Sequence, residues 1–420
     1  MKPAPSLQPL TIPAFSLPET VILSNGTRIF GFNGAFNDIL RLEFVFDSGR
    51  WTEEHPLTAH ASSKLFKGGT NTRTAFQIDE AIDSLGATIT ATAGYHGYVI
   101  SVYTMRKHLK KVLTLLQECL FNSTFPESEF EIYQRNAIAK HKINEEKTDY
   151  LADMEFKQQI FGADHPYGYP TTVSLLEQLQ IGWIRAYFNS QVRDKQPDVY
   201  VSGKYDDTDL AIISDSLAGR SYPPAGPDTI HTVTVMPAAK TYIKKPGAVQ
   251  ASLVLGKRHI NKLHPDYPGF VLMNTVFGGY FGSRLMANIR EDKGYTYGIY
   301  SSLQTYRHDA ALLIQTEISN EHIDACITEI KKECEILQNE RIGEEELRQA
   351  RNYLAGKYLS RMDGPFAQME TFKNYMIEGV DIQYFDKFAD IIRQSTAEDI
   401  RVMAGKYLSF DSFSEVIAGG

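Results

Sequence analysis

Two short stretches of this sequence share a pattern, His-Pro followed by Phe and a Gly-Gly pair, and decide the plan of the fold. His55-Pro56 is followed by Phe66-Lys67-Gly68-Gly69, and His264-Pro265 is followed by Phe277-Gly278-Gly279. The two His-Pro pairs lie about half the chain length apart. Self-similarity at a fixed offset is typical of a chain built from repeated units. The sequence therefore predicts two homologous halves.

A second pair of matching residues, and the segment between the halves, support this division. Arg135-Asn136 is repeated as Arg351-Asn352 at a similar offset, and the segment 219–227 (GRSYPPAGP) is dense in residues that break helices and strands. The 420 residues also exceed the ~250–300 at which one hydrophobic core stops growing. We predict a domain over 1–218, a linker over 219–240 and a domain over 241–420.

Local patterns indicate the secondary structure within each half. Ile39–Phe46 alternates as a half-buried strand does, and Ala87–Met105 is typical of a hairpin. Thr74 and Gln77 form a capping box for a helix that Gly86 ends. An apolar stripe at helical spacing runs from Ile323 to Leu337. Paired strands followed by long helices predict an α+β fold with two homologous domains, each a mainly antiparallel sheet with helices packed on one face.

Composition and charge exclude several classes of function. The net charge of −8 gives no electrostatic footprint for nucleic acid or for an anionic membrane surface. No stretch approaches the ~20 apolar residues that span a bilayer, and the proline-rich N-terminus has no secretory pattern. Cys119, Cys326 and Cys334 are too few and too scattered for a disulfide framework or a cysteine zinc site, which fits a reducing compartment. We expect a cytoplasmic protein without nucleic-acid or membrane partners.

Several longer motifs carry a family resemblance. Leu65-Phe66-Lys67-Gly68, Thr72-Arg73-Thr74 and the segment 161–168 (FGADHPYG) resemble the insulinase-like (M16) zinc peptidases closely. The resemblance extends over both halves. Active members of that family carry an inverted H-x-x-E-H motif on the helix before the Phe-Lys-Gly turn. Its two His are zinc ligands and its Glu is the general base.

The metal site that this resemblance implies is degenerate here. In register with H-x-x-E-H stand Ala59 and Ser63 at the ligand positions and Ser62 at the position of the base. The third ligand, a Glu in the family, is Lys140, whose ammonium group would repel a cation. We therefore expect no metal and no cofactor in this chain, with all four catalytic positions lost together.

A different metal site built from nearby histidines is not favoured. His55 and His60 are five residues apart, so on a helix their side chains would diverge, and His55 precedes a proline that places it outside the helix. Glu53 and Glu54 offer carboxylates beside them. We interpret these histidines as exposed or capping residues.

The second half keeps a motif that the resemblance connects with catalysis. In M16 peptidases an Arg on the helix after the glycine segment and a Tyr seven residues later face the peptide, and Arg290 and Tyr297 match them. A guanidinium and a phenol can donate hydrogen bonds to the oxygen that becomes negative when a peptide carbonyl is attacked. Gly278 and Gly279 lack the pattern of a phosphate loop. As glycines they would let the backbone of a bound peptide approach closely.

The resemblance implies a role in proteolysis that needs a second chain. We predict a non-catalytic subunit that is no peptidase alone. It would form a heterodimer with an H-x-x-E-H subunit that carries the zinc, and Arg290 and Tyr297 would assist that site on a peptide substrate. The alternative is a peptide-binding or structural scaffold without a role in hydrolysis. An independent hydrolase with an unrecognised metal site ranks last.

Overall fold

A computed structural model describes residues 12–224, 226, 229–233 and 236–420. Residues 1–11, in the segment where no secretory signal is predicted, lie outside the described residues. The same holds for positions 225, 227, 228, 234 and 235 of the predicted linker. From Ala218 to Ala239 the described residues belong to no helix or strand.

The described strands form two sheets with the same topology. The first sheet has the order β1-β2-β6-β3-β5-β4 and the second the order β7-β11-β8-β10-β9. Without β1 the two orders correspond strand for strand, and in each sheet one pair (β2 with β6, β7 with β11) is parallel and the others are antiparallel. The strands are β1 Glu19–Ile22, β2 Arg28–Asn33, β3 Ile39–Phe46, β4 Thr88–Ala93, β5 Tyr98–Met105, β6 Asp198–Gly203, β7 Lys240–Lys244, β8 Gln250–His259, β9 Thr296–Thr305, β10 Ala310–Ser319 and β11 Ser414–Gly419.

The helices follow the same order in both halves, and the predicted α+β fold is confirmed. After β3 in the first half comes α1, and after β8 in the second half comes α9. After the hairpin of each half come five helices, α3–α7 or α10–α14. No described helix is both long and apolar enough to span a bilayer. The helices are α1 Thr58–Lys64, α2 Ala75–Asp83, α3 Leu109–Asn122, α4 Glu127–Asn144, α5 Thr148–Phe161, α6 Val173–Gln178, α7 Ile181–Phe188, α8 Asp207–Leu217, α9 Tyr267–Asn274, α10 Ile323–Asn339, α11 Glu344–Ser360, α12 Gly364–Ile377, α13 Gln383–Gln394 and α14 Ala397–Tyr407.

Local sequence signals are confirmed in detail, with one exception. The Thr74 hydroxyl accepts from the Gln77 N–H at 3.3 Å, the Gln77 side chain accepts from the Thr74 N–H at 3.0 Å, and Gly86 ends this region with a φ of 58°. Strand β3 has the predicted bounds. Glu43 and Val45, on the face expected to be exposed, are buried like Leu42, Phe44 and Phe46 on the other face. The prediction of a half-buried strand is therefore wrong, because a second layer covers its other face.

That second layer comes from the opposite half of the chain. Helix α12 of the second half packs on β2 and β6, where the Phe372 ring lies 5.1 Å from Phe30 and 5.7 Å from Phe32. Helix α5, its counterpart in the first half, packs on β8 and β11, and Phe156 shares a core with Val416. Each sheet thus carries its own helices on one face and one helix of the other half on the opposite face.

A ring of aromatic side chains around Trp51 joins the two halves to the linker. The Trp51 indole N–H donates to the Thr229 carbonyl at 2.9 Å, and His231 Nε2 donates to the Trp51 carbonyl at 2.8 Å. Tyr167 of the first half stacks on Tyr306 of the second at 4.3 Å. Because these contacts span three segments, we expect their loss to weaken the association of the halves.

Two buried histidines make this junction sensitive to acid. Burial, together with the positive charge of Arg307, lowers the pKa of His96 to about 3, and burial with neighbouring His231 lowers that of His165 to about 4. In the unfolded chain both would titrate near 6.5. The unfolded state therefore binds more protons below pH 6.5, and the free energy of unfolding falls as the pH drops toward 4.

We expect each of these histidines to cost about 2 kcal/mol of stability at pH 5 relative to neutral pH. Denaturant titrations at pH 7.5 and pH 5 measure this loss. The loss of stability between pH 7.5 and pH 5 should be about 2 kcal/mol smaller in His96→Gln than in wild type. The glutamine can still hydrogen-bond to the Tyr167 hydroxyl. His322→Gln, whose side chain is 39% exposed, is the control and should keep the wild-type pH dependence. Equal losses in wild type and His96→Gln would contradict the prediction.

Candidate functional site

Helix α1 places the three degenerate positions in the core. The chain enters this helix through Leu57, which has a left-handed φ of 71°, and the helix then packs under β4 and against α7. Ala59, Ser62 and Ser63 are all buried. The Ser62 hydroxyl donates to the Ala59 carbonyl and the Ser63 hydroxyl to the His60 carbonyl, each at 2.8 Å. Both hydroxyls thus donate to carbonyls of their own helix.

The residues present do not fit a zinc ion. Lys140 lies exposed on α4, close enough for its charge to act on His60. His55 lies outside α1, as predicted, and stacks on Trp183 with 3.9 Å between the ring centroids. Within the described part of the chain, no group of three or more His, Cys, Asp or Glu side chains is arranged to hold a metal.

A carboxyl group that the sequence did not single out as a cap occupies the start of α1. Glu53 accepts the Ala59 N–H at 3.3 Å and the Tyr169 hydroxyl at 2.9 Å, and the Arg50 guanidinium lies over the Tyr169 ring. Burial raises the pKa of Glu53 to about 7. The sequence signal for this capping role is the position of Glu53 just before α1. An acidic side chain there can accept hydrogen bonds from the free N–H groups of the first helical turn.

Arg290 and Tyr297 come together on the surface of the second half. Arg290 lies on a π-helical segment, Met286–Asp292, and its Nε donates to the Tyr297 carbonyl at 3.0 Å. The guanidinium lies 4.6 Å from the centre of the Phe281 ring and 3.7 Å from a Glu291 oxygen. Tyr297 is 92% exposed. The phenol and the outer nitrogens of Arg290 can therefore both reach a second molecule.

Two threonines that the sequence did not reveal shape the strand around Tyr297. The Thr296 hydroxyl donates to the Glu317 carbonyl at 2.6 Å, and the Thr316 hydroxyl donates to the Gly298 carbonyl at 2.9 Å. The pairing of β9 with β10 shifts register between Thr316 and Ile318. This irregularity leaves Tyr297 turned outward while Thr296 is buried.

The two candidate glycines have different surroundings. A Cβ on Gly278 would lie 2.6 Å from the Ser301 Cβ and 2.8 Å from the Ser301 nitrogen, so the close approach that it permits is that of strand β9. Gly279 is partly exposed and lines a cavity beside β9. Close packing against β9 therefore explains why position 278 requires glycine, whereas Gly279 borders an open cavity.

We expect Gly278→Ala to destabilise the protein by about 1–3 kcal/mol, because overpacking must displace strand β9 or the Leu285 side chain. Denaturant unfolding monitored by circular dichroism measures the change. Gly356→Ala is the matched control, since its helix α11 has nothing within 4 Å of the added Cβ. The control should be stabilised by up to about 1 kcal/mol. Equal stabilities for the two variants would contradict this packing.

Comparisons with known proteins agree with this arrangement. Residues 39–163 match the family model for insulinase (peptidase family M16), and residues 180–354 match that for the peptidase M16 inactive domain. The chain is 24% identical to the "Uncharacterized zinc protease YmxG" of Bacillus subtilis over 330 residues, 76% of this chain and 78% of that protein. It is 22% identical to the "Probable inactive metalloprotease YmfF" of the same species over 316 residues, 72% of each.

A solved structure shares the fold over nearly its full length. The crystal structure of a peptidase M16 inactive domain from Pseudomonas fluorescens superposes with a TM-score of 0.84 at 21% identity, covering 96% of this chain and 98% of that one. The repeated α+β fold and the filled metal position define a homologue of zinc peptidases that lacks their metal ligands. The two family models together match more than two thirds of the chain, which belongs to the M16 peptidase family.

Proposed function

We propose that this chain is the non-catalytic subunit of a two-chain M16 peptidase, in which a separate H-x-x-E-H subunit holds the zinc. One observation carries the proposal: the Arg290–Tyr297 pair is intact and accessible while the metal position at Ala59, Ser62 and Ser63 is filled. A chain that had lost every part in proteolysis would have no need of an outward guanidinium and phenol.

The two side chains would act on a peptide held at the partner's zinc. When water attacks a peptide carbonyl, its oxygen gains negative charge, and donors fixed beforehand stabilise that charge. The bond from Arg290 to the Tyr297 carbonyl, with the Phe281 ring beside it, fixes the guanidinium before substrate arrives. The exposed pair would be covered by the partner's surface, which would exclude water and strengthen these hydrogen bonds.

A mixing experiment tests the proposal. This chain and an H-x-x-E-H M16 chain from the same cell would be purified separately and assayed on a quenched fluorescent peptide library, alone and mixed. We expect cleavage by the mixture only, zinc in the partner only, and co-elution of the two chains. Cleavage by this chain alone, or a partner whose activity does not rise on mixing, would overturn the proposal.

A scaffold without a part in hydrolysis is the second candidate, favoured by the word "inactive" in the name of the B. subtilis relative YmfF. A scaffold would bind its partner without changing the rate of cleavage. The same mixing experiment separates the two functions, because co-elution without a gain in activity indicates the scaffold.

We propose the cytoplasm as the location. The three cysteines are buried free thiols, which is compatible with a reducing compartment. Fractionation of the native cells with an antibody to this chain tests the location, and recovery outside the cytoplasm would overturn it.

A further inference from the structure

A cavity of about 260 Å³ lies in the second half, between helices α9, α11 and α13 and strand β9. Its walls are rich in tyrosine, and its floor includes Asn274 and Ser301, whose side chains bond to each other. Gly279 borders it, so the cavity adjoins the glycine segment that leads to Arg290 and Tyr297. The tyrosines that line it are Tyr267, Tyr353, Tyr358, Tyr375 and Tyr384.

The cavity lies beside α9, the helix that corresponds in chain order to the helix of the degenerate metal position in the first half. In the repeated order of elements, α9 corresponds to α1 and α11 to α4. Val271, which lines the cavity, follows His264-Pro265 at the same spacing as Ser62 follows His55-Pro56.

The charged groups at the cavity are positive. Lys262, Lys357 and Arg361 line it, and no Asp or Glu does. Lys262 is neutralised by Glu378 at 2.5 Å. Lys357 and Arg361 are exposed at the rim and, within the described ranges, form no ion pair with a carboxylate. Two positive charges are therefore free to attract an anion.

The phenols supply hydrogen-bond donors deeper inside. The Tyr384 hydroxyl is buried and has no hydrogen-bond partner among the described residues. The ring of Tyr358 lies 4.9 Å from the Arg361 guanidinium carbon. Burial raises the pKa of Tyr384 and of Tyr267, so both phenols keep their protons and can donate. A buried donor without a partner costs free energy that a bound acceptor recovers.

We propose that this cavity, the α9–α11 cavity, binds a carboxylate of a peptide. Lys357 and Arg361 would hold the carboxylate oxygens at the rim, and the Tyr384 hydroxyl would donate from within. The choice of a peptide as the ligand rests on the proposed function. The carboxylate comes either from the C-terminus of the peptide or from an Asp or Glu side chain.

Size and surroundings favour a small group carried by a longer chain. A volume of about 260 Å³ is below the range of ~300–1,000 Å³ usual for drug-sized ligands, but it accommodates one side chain or one chain end. A neighbouring cavity shares Lys262 and Arg361 but is also lined by Glu370 and Glu378, which would repel an anion. The carboxylate is thus directed into the α9–α11 cavity.

Fluorescence anisotropy with the full chain alone tests this inference. Three N-terminally labelled octapeptides of one neutral sequence would be compared: a free carboxylate at the C-terminus, a C-terminal amide, and the amide with one internal Glu. We expect one or both carboxylate peptides to bind 10–100-fold more tightly than the neutral amide, as for charge-assisted hydrogen bonds. The peptide that gains affinity identifies the source of the carboxylate.

Variants of the cavity decide whether it is the site. Lys357→Gln/Arg361→Gln should abolish the preference for a carboxylate, and Tyr384→Phe should reduce it about 3–10-fold. Lys110→Gln/Lys111→Gln removes two exposed charges from α3 and should leave the preference intact. No binding, equal binding of all three peptides, or a preference that survives in the double cavity variant would overturn the inference. The binding assay contains neither a partner chain nor zinc. A negative result in it is therefore distinct from a negative result in the mixing experiment, which measures peptide cleavage.

Discussion

Replacing Arg290 by alanine is expected to lower kcat/KM of the mixed subunits about 100–1,000-fold. Loss of one fixed donor to a developing oxyanion typically costs this much. The Arg290 side chain is only partly buried, and its main tie to this chain is the bond to the Tyr297 carbonyl. The folded structure and the binding of the partner should therefore survive. The measurement is peptidase kinetics of the mixture with co-elution as a check on assembly.

Conservative variants separate charge from geometry at this site. Arg290→Lys keeps the charge but not the planar set of donors, so it should recover less than a tenth of the lost activity. Tyr297→Phe removes only a hydroxyl, and we expect a 10–100-fold loss that falls mainly on kcat. Tyr300→Phe, another exposed tyrosine on β9, is the matched control and should retain full activity. Full activity of Arg290→Ala in an assembled mixture would contradict a catalytic contribution.

The substitution of the H-x-x-E-H residues can be seen in the sequence because the motif is local. Ala59, Ser62 and Ser63 occupy one short helix, so a single segment of sequence shows which residues stand at the three positions. The structure adds that the position is packed rather than empty, since both serine hydroxyls bond to carbonyls of the same helix.

The reciprocal packing of the halves could not be predicted in this way. Glu43 alternates with apolar residues in β3, a pattern that indicates a strand with one face in water. Its side chain is 2% exposed because α12, more than 300 residues away in sequence, covers that face. Periodicity reports which residues share a face but not which distant element lies on it. The cavity between α9 and α11 depends on neighbours distant in sequence in the same way.

The ion pair beneath α12 leads to the second large effect, on stability. Lys373 Nζ donates to Glu43 Oε2 at 2.6 Å, with the two side chains 7% and 2% exposed. Arg41 and Ser101 also bond to Glu43, at 2.6 and 2.9 Å. We expect Lys373→Met to lower the free energy of unfolding by about 2–4 kcal/mol, because the buried Glu43 carboxylate loses its partner from the other half and keeps only Arg41 as a counter-charge.

Removal of both charges should cost much less than removal of one. In Glu43→Gln/Lys373→Met the amide can still accept from Arg41 and Ser101, and no buried charge is left unpaired, so at least about 2 kcal/mol should return. Arg348→Ala breaks an exposed pair with Glu345, 58% and 63% exposed, and should cost far less stability than Lys373→Met because water screens the pair. Urea unfolding followed by fluorescence and circular dichroism measures all three variants. If Lys373→Met were as stable as Arg348→Ala, the Lys373–Glu43 ion pair could not stabilise the packing of α12 on the sheet of the first half.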